Sequence, residues 1–196
     1  MNKKFSVKIP VEIPYPSSED NFFSKVKKEE RRSTAYIKND DWDIYTVGYK
    51  LAGDILADHA SRKCGHDLLV YPIVFLYRQH LELAIKSLII KSNNTKPETN
   101  HNLNALWTTC LGLLKKIHPD IAKERENELQ NTTRLIEELC RYDPMSFAFR
   151  FQLNRDYKTS ALPNDLKEVS LMNIMKVFGN ISNELDYWFL AMSDEP

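Results

Sequence analysis

The stretch Tyr77-Arg78-Gln79-His80-Leu81-Glu82-Leu83-Ala84-Ile85-Lys86-Ser87-Leu88 decides the fold of this chain. Its apolar residues recur at intervals of three and four, the period of an α-helix rather than the alternation of a strand. At ~100° per residue, Val74, Tyr77, Leu81, Ala84, Ile85 and Leu88 gather on one side. Arg78, Gln79, Glu82 and Lys86 fall on the other, and Arg78–Glu82 and Glu82–Lys86 have the i, i+4 spacing of ion pairs. That charged stripe is either a solvated helix face or the lining of a site. His80 falls at the margin of the apolar side and points inward. It is either a satisfied core histidine or an acid–base group tuned by partial burial.

Working outward, Pro72 is at home in a first turn, so this helix begins between Asp67 and Pro72 and ends before Asn93-Asn94. A polar loop, Asn93–Asn100, follows. Upstream, Asp41 or Asp43 caps a helix running through about Ala60, with Ile44, Val47, Leu51, Ile55 and Leu56 on one stripe, and Gly65 punctuates. Downstream, the pattern predicts helices over Asn102–Ile117, Asp120–Arg141 and about Asp165–Ala191, with His118-Pro119 closing the first of these. Asp143–Pro163 between the last two is irregular and aromatic. Near the N-terminus, Phe5, Val7, Ile9, Val11 and Ile13 alternate among prolines, as in an extended arm or edge strand. Ser17–Ser33 is dense in mixed charge and reads as a solvated helix or linker. The expected fold is therefore all-α: an antiparallel bundle of about five helices over residues 40–196, preceded by an extended arm and charged linker helix over 1–39.

Composition removes several function classes. The 196 residues carry 27 Lys+Arg against 27 Asp+Glu, so a strongly basic nucleic-acid coat and an acidic tail protein are excluded. Neither G-x-x-x-x-G-K-[ST] nor G-x-G-x-x-G occurs among only five glycines, which excludes P-loop and Rossmann chemistry. Cys64, Cys110 and Cys140 are odd in number and far apart, with no C-x-x-C, so we expect reduced thiols, no disulfide framework and no metal site. No cofactor is expected. Met1–Pro16 has no apolar signal-peptide core, and the apolar run Leu68–Leu76 is far short of the ~20 residues a membrane span needs. The expectation is a cytoplasmic protein with no membrane association.

Two further places carry chemistry. His101 stands between Asn100 and Asn102 just before a helix, where unpaired N–H groups favour anions; it is either a capping-loop residue or part of a site. His59, His66, Arg62 and Lys63 form a small basic loop without carboxylates at metal-ligand spacing. The segment Arg141-Tyr142-Asp143-Pro144-Met145-Ser146-Phe147-Ala148-Phe149-Arg150-Phe151 has four aromatics where a bare connector would be small and polar. Phe147 and Phe151 at i, i+4 predict a docked turn that positions Arg150. It is either a packed connector whose Asp143 starts a turn, or an arginine presented to a phosphate or nucleobase.

These strings resemble the HEPN superfamily, helical bundles named for nucleotide binding in higher eukaryotes and prokaryotes. Glu82, Lys86 and Leu88 match its E-x-x-x-K-x-L, and His101-Asn102-Leu103-Asn104-Ala105-Leu106 matches H-[DN]-L-x-x-L. Asp143-Pro144-x-Ser146-x-x-Phe149-Arg150-Phe151 is similar to the D-P-x-S-x-x-F-R-Y string of bacterial HEPN-like proteins. The resemblance spans roughly residues 71–189. It implies a metal-independent ribonuclease or toxin of a phage-defence or toxin–antitoxin system, working as a homodimer beside a partner protein of the same locus. Such chemistry needs a base for the ribose 2′-OH, an acid for the leaving oxygen and a cation for the phosphorane. The usual Arg-x4–6-His, with four to six residues between, is missing: no His follows Arg141 or Arg150, only three residues separate Arg62 from His66, and only one separates Arg78 from His80. The resemblance then implies a variant site. His80 or His101 would be acid or base, Arg78 and Arg150 would hold phosphate, and Glu82, Lys86, Asn102, Arg141, Asp143 and Ser146 would bind. The alternative is a non-catalytic module of the same kind that binds a protein, a nucleotide or RNA.

Overall fold

The computed structural model describes residues 16–18, 22, 32, 34–37, 42–63, 65–93, 97 and 101–193. The alternating apolar run from Phe5 to Ile13, most of the charge-dense segment, an Asp41 cap, Cys64 and most of the 93–100 loop lie outside these residues. Contacts divide the chain into units Met1–Lys38 and Asn39–Pro196. Among the described residues, unit two is an all-α bundle of six helices: α1 (Trp42–Arg62), α2 (His66–Asn93), α3 (Leu103–Ile117), α4 (Pro119–Glu124), α5 (Glu126–Tyr142) and α6 (Leu171–Ala191). Among the described residues the nearest thing to a sheet is one bridge, Leu153 to Ser160, in the α5–α6 connector.

α2 is the central helix and packs against α1, α3 and α6. It starts at His66, earlier than the proline position alone predicts, because Gly65 turns the chain at φ 116° and its carbonyl accepts from Leu68 and Leu69 N–H. Pro72 sits inside the helix, beyond the first turn. The expected apolar side of α2 is the core: Ile73, Tyr77, Leu81, Ile85 and Leu88 are sealed. The Tyr77 ring stacks on Phe178 of α6 with centroids 4.9 Å apart, and its hydroxyl donates to Asp54 of α1 at 2.7 Å. A Cβ at Gly53 would lie 2.9 Å from that ring, so only glycine lets α1 approach this closely.

Three readings need correction. The run expected as one helix over Asp120–Arg141 is two, because Arg125 leaves helical geometry at φ −102°, ψ 23°. Its side chain is held by the Glu184 carboxylate and lies over the Tyr187 ring at 4.1 Å, so contacts with α6 override the local periodicity. The last helix begins at Leu171 rather than Asp165. Ser170 stops it there as N-cap, its hydroxyl accepting from Asn173 N–H at 3.2 Å. Apart from Leu56, which packs partly buried against the core, the apolar stripe of α1 does not face it. Small residues, Gly53, Ala57 and Ala60, do so instead, while Ile44, Val47, Leu51 and Ile55 are exposed.

By length and composition α2 is the one described helix apolar enough to cross a bilayer, but half of that window is buried inside the bundle. It is a core helix that also carries three buried charges, Arg78, Glu82 and Lys86.

Candidate functional site

The charged stripe of α2 is not a solvated face. Arg78 is 0% exposed and Glu82 1%, and Lys86 is buried beside them. The reason is that α3 and the connector after α5 close over this side. Arg78 Nη1 donates to Glu82 Oε2 at 2.9 Å. Its Nη2 donates to the carbonyls of His101 (2.7 Å) and Pro144 (3.0 Å), and its Nε to that of Asp143 (3.0 Å). One guanidinium thus ties α2 to the start of α3 and to the connector, using four of its five N–H groups. Glu82 Oε1 accepts from Lys86 Nζ and from His101 Nδ1, both at 2.8 Å. Burial pushes the Glu82 carboxyl up, but the hydrogen bonds from Lys86, His101 and Arg78 outweigh it and hold it below the ordinary carboxylate range.

The Asp143-Pro144-x-Ser146 string builds the far wall. Asp143 Oδ1 accepts from Phe147 N–H (2.6 Å) and Ala148 N–H (3.0 Å), which closes the turn. Ser146 occupies the left-handed region at φ 57° to let the chain return. Asp143 Oδ2, 3.7 Å from Arg78 Nε, and Ser146 Oγ are buried without a hydrogen bond. The Pro144 carbonyl also accepts from Leu103 N–H, and Asn102 Oδ1 accepts from Ala105 N–H. The α3 N-terminus is therefore already capped by the protein, which leaves it a poor anion site.

One side chain of this cluster reaches solvent: the His101 side chain is 55% exposed. Because the Glu82 carboxylate can only accept, His101 Nδ1 carries a hydrogen and, in the neutral ring, Nε2 is the basic nitrogen. A carboxylate-oriented imidazole of this kind can accept or donate a proton.

His80 lies elsewhere. Two residues before Glu82, it points to the opposite side of α2, toward α1 and α6. Its Nδ1 meets the Thr46 carbonyl and its Nε2 the Ser182 hydroxyl, both at 3.0 Å. The carbonyl fixes the hydrogen on Nδ1, so Ser182 donates to Nε2. Burial pushes its pKa below the ordinary histidine value, ahead of an opposing push from Thr46. The structure therefore does not bring His80 and His101 together, and His80 is a satisfied core histidine.

Arg150 and Arg141 are exposed. Arg150 Nε donates to the Ser146 carbonyl, which fixes the stem and leaves the guanidinium 5.5 Å from the ring centroids of both Phe75 and Phe151. Phe151, 51% exposed, packs on Phe147 at 4.7 Å between centroids, the expected i, i+4 pair. Arg150 and Phe151 stand at a cavity of about 530 Å³ that Tyr71, Gln152, Ser160 and Asn164 also line. Sequence reasoning singled out Arg150 but missed Tyr71, Gln152 and Asn164. They come from three separate stretches, and only the folded connector gathers them.

Among the described residues no three or more His, Cys, Asp or Glu gather as a metal site. Cys110 and Cys140 are free and buried, and burial pushes the Cys110 thiol up to about 12, so it is an inert core group. Compared with known proteins, the chain matches no family model, no curated protein and no solved structure.

Proposed function

We propose that this chain is a cytoplasmic, non-catalytic HEPN-like helical module that binds single-stranded RNA at the Arg150 cavity. The observation that carries the reading is the exposed guanidinium of Arg150, anchored at Nε and set beside Phe151 at the cavity mouth. Its terminal nitrogens suit a phosphate, the Phe151 and Tyr71 rings suit stacked bases, and the Gln152 and Asn164 amides suit base edges. The cavity falls within the range of small-ligand sites, roughly 300–1,000 Å³. Arg78 cannot take that role, since it is sealed and its donors are committed to the fold.

Fluorescence anisotropy with a short labelled single-stranded RNA, at low salt and in EDTA, tests this. Wild type binds and leaves the RNA intact, and Phe151→Ala weakens binding about tenfold, the loss of one stacked base. Binding that is absent, or that Phe151→Ala and Arg150→Ala both leave unchanged, overturns the reading.

One observation favours the ribonuclease reading as second: the half-exposed His101 imidazole held by buried Glu82, with Lys86 adjacent. There His101 is the general base and the leaving-group acid comes from a second copy. RNA cleavage in EDTA that disappears in His101→Ala would establish it.

A further inference from the structure

α5 packs chiefly on α3 and barely meets α6. Because Ser170 starts α6 only at Leu171, the chain before it crosses the gap between these helices as non-helical connector. A cavity of about 570 Å³ remains there, within the roughly 300–1,000 Å³ of small-ligand sites. Val74, Phe178 and Ile181 line it and are buried, while Leu135, Leu139 and Ile174 line it half-exposed. Apolar walls that face a gap lack dispersion partners on that side, and an apolar occupant restores them. The charged lining residues Arg134, Glu138 and Glu168 are exposed, which places them at the mouth. Arg134 Nη1 donates to Glu138 Oε2 at 3.4 Å, so its cation already faces a carboxylate. Glu168 makes no ion pair or hydrogen bond with the described residues. Two carboxylates against one engaged guanidinium leave the mouth net negative. The half-buried Tyr142 ring lines the same cavity, and an aromatic face attracts a cation.

We propose that this cavity binds a hydrophobic amine, its apolar chain held between α5 and α6 and its ammonium at the mouth beside Glu168 and Glu138. The head group stays at the water boundary, which spares it the cost of a buried charge. A fatty carboxylate of the same length would meet the two carboxylates and find the guanidinium engaged. The cover can yield to an entering chain. Leu166 holds the connector over the cavity, in a turn where its N–H donates to the Pro163 carbonyl at 3.3 Å. Lys167, Glu168 and Val169 beyond it are exposed and make no backbone hydrogen bond with the described residues. That stretch can shift without breaking a helix. Phe149 and Leu166 also line the Arg150 cavity, but Arg150 does not line this one. The inference therefore stands apart from the RNA reading.

Isothermal titration calorimetry of the full chain at neutral pH tests it, with octylamine, decylamine, decanol and decanoate as probes below their micelle concentrations. Decylamine binds saturably at one site with a negative heat-capacity change, the mark of apolar burial. It binds about tenfold tighter than octylamine, the effect of two more buried methylenes. Decanol binds more weakly than decylamine, and decanoate most weakly. Glu168→Gln, an exposed change that leaves Tm unaltered, weakens decylamine about threefold and decanol not at all. Leu139→Trp fills the cavity and abolishes binding of every probe, with Tm measured beside it to show that the variant folds. Arg150→Ala binds decylamine like wild type, so a failure of RNA binding leaves this result unaffected. No saturable binding of decylamine, decanoate binding as tightly as decylamine, or binding that a folded Leu139→Trp retains overturns the proposal. Should Leu139→Trp not fold, a decylamine affinity unchanged in Glu168→Gln overturns it as well.

Discussion

Arg78 and Arg150 come from strings of the same character, polar residues set among apolar and aromatic ones, yet the fold uses them oppositely. Arg78 is sealed and divides its donors among Glu82 and the carbonyls of His101, Asp143 and Pro144. Arg150 fixes only its Nε, on Ser146, and leaves its fork at the surface beside aromatic rings. Number of committed donors and exposure, rather than residue type, separates an arginine that holds a fold together from one that can hold a ligand. The first is linked to the second: Arg78 grips the Asp143 and Pro144 carbonyls, Asp143 closes the turn through Phe147 and Ala148, and that turn carries Arg150.

The largest effect belongs to Arg78. Arg78→Met leaves Glu82 and three carbonyls without their buried partner, and we expect a loss of about 3–5 kcal/mol, or a drop of roughly 10 °C or more in Tm by thermal denaturation. Arg78→Lys restores little of it, since one ammonium cannot reproduce the fork. A small loss in Arg78→Met would break the comparison at its root. Next comes Asp143→Ala, which opens the turn: about 2 kcal/mol of stability by urea denaturation, accompanied by weaker RNA binding because Arg150 loses its platform. Stability lost with RNA affinity intact would show that the two arginines are not linked.

The pH response sharpens the account of the two histidines. His80 is held neutral, its folded pKa below the unfolded value of ~6.5. The unfolded chain then binds the extra proton first, so stability is full above pH ~6.5 and declines as pH falls below it. Glu82, also depressed, adds a second decline as pH falls below ~4.5. His80→Gln removes the first decline and keeps the second, read from urea midpoints across pH. The smallest expected effect is His101→Ala, about 1 kcal/mol or less by the same assay, because its ring is half in water.

Much of the fold was legible because apolar periodicity reports burial directly. The α2 and α3 patterns and the Phe147–Phe151 pair needed no tertiary information. What escaped was set by contacts distant in sequence. The Arg78–Glu82–Lys86 stripe looks like helix surface until α3 and the connector cover it. Arg125 interrupts a helical pattern only because Glu184 and Tyr187 hold it. The α1 stripe misleads in the other direction, since small Gly53, Ala57 and Ala60 take the core side, and Gly53 lets Tyr77 come close. Ser170, three residues before Asn173, was a readable N-cap signal for the true start of α6. At the site, the imidazole–carboxylate pair joins two segments with a loop between them, and only the folded chain shows that His101, not His80, meets Glu82.

The central claim is that Arg150 meets phosphate while Arg78 holds the fold. The most direct test is the salt dependence of RNA affinity in wild type and Arg150→Ala, with thermal unfolding of both. The account predicts that Arg150→Ala lowers the slope of log affinity against log salt by ~0.7, one phosphate contact on a single strand, and leaves Tm within about 1 °C. An unchanged slope, or a Tm that falls as far as that of Arg78→Met, would contradict it.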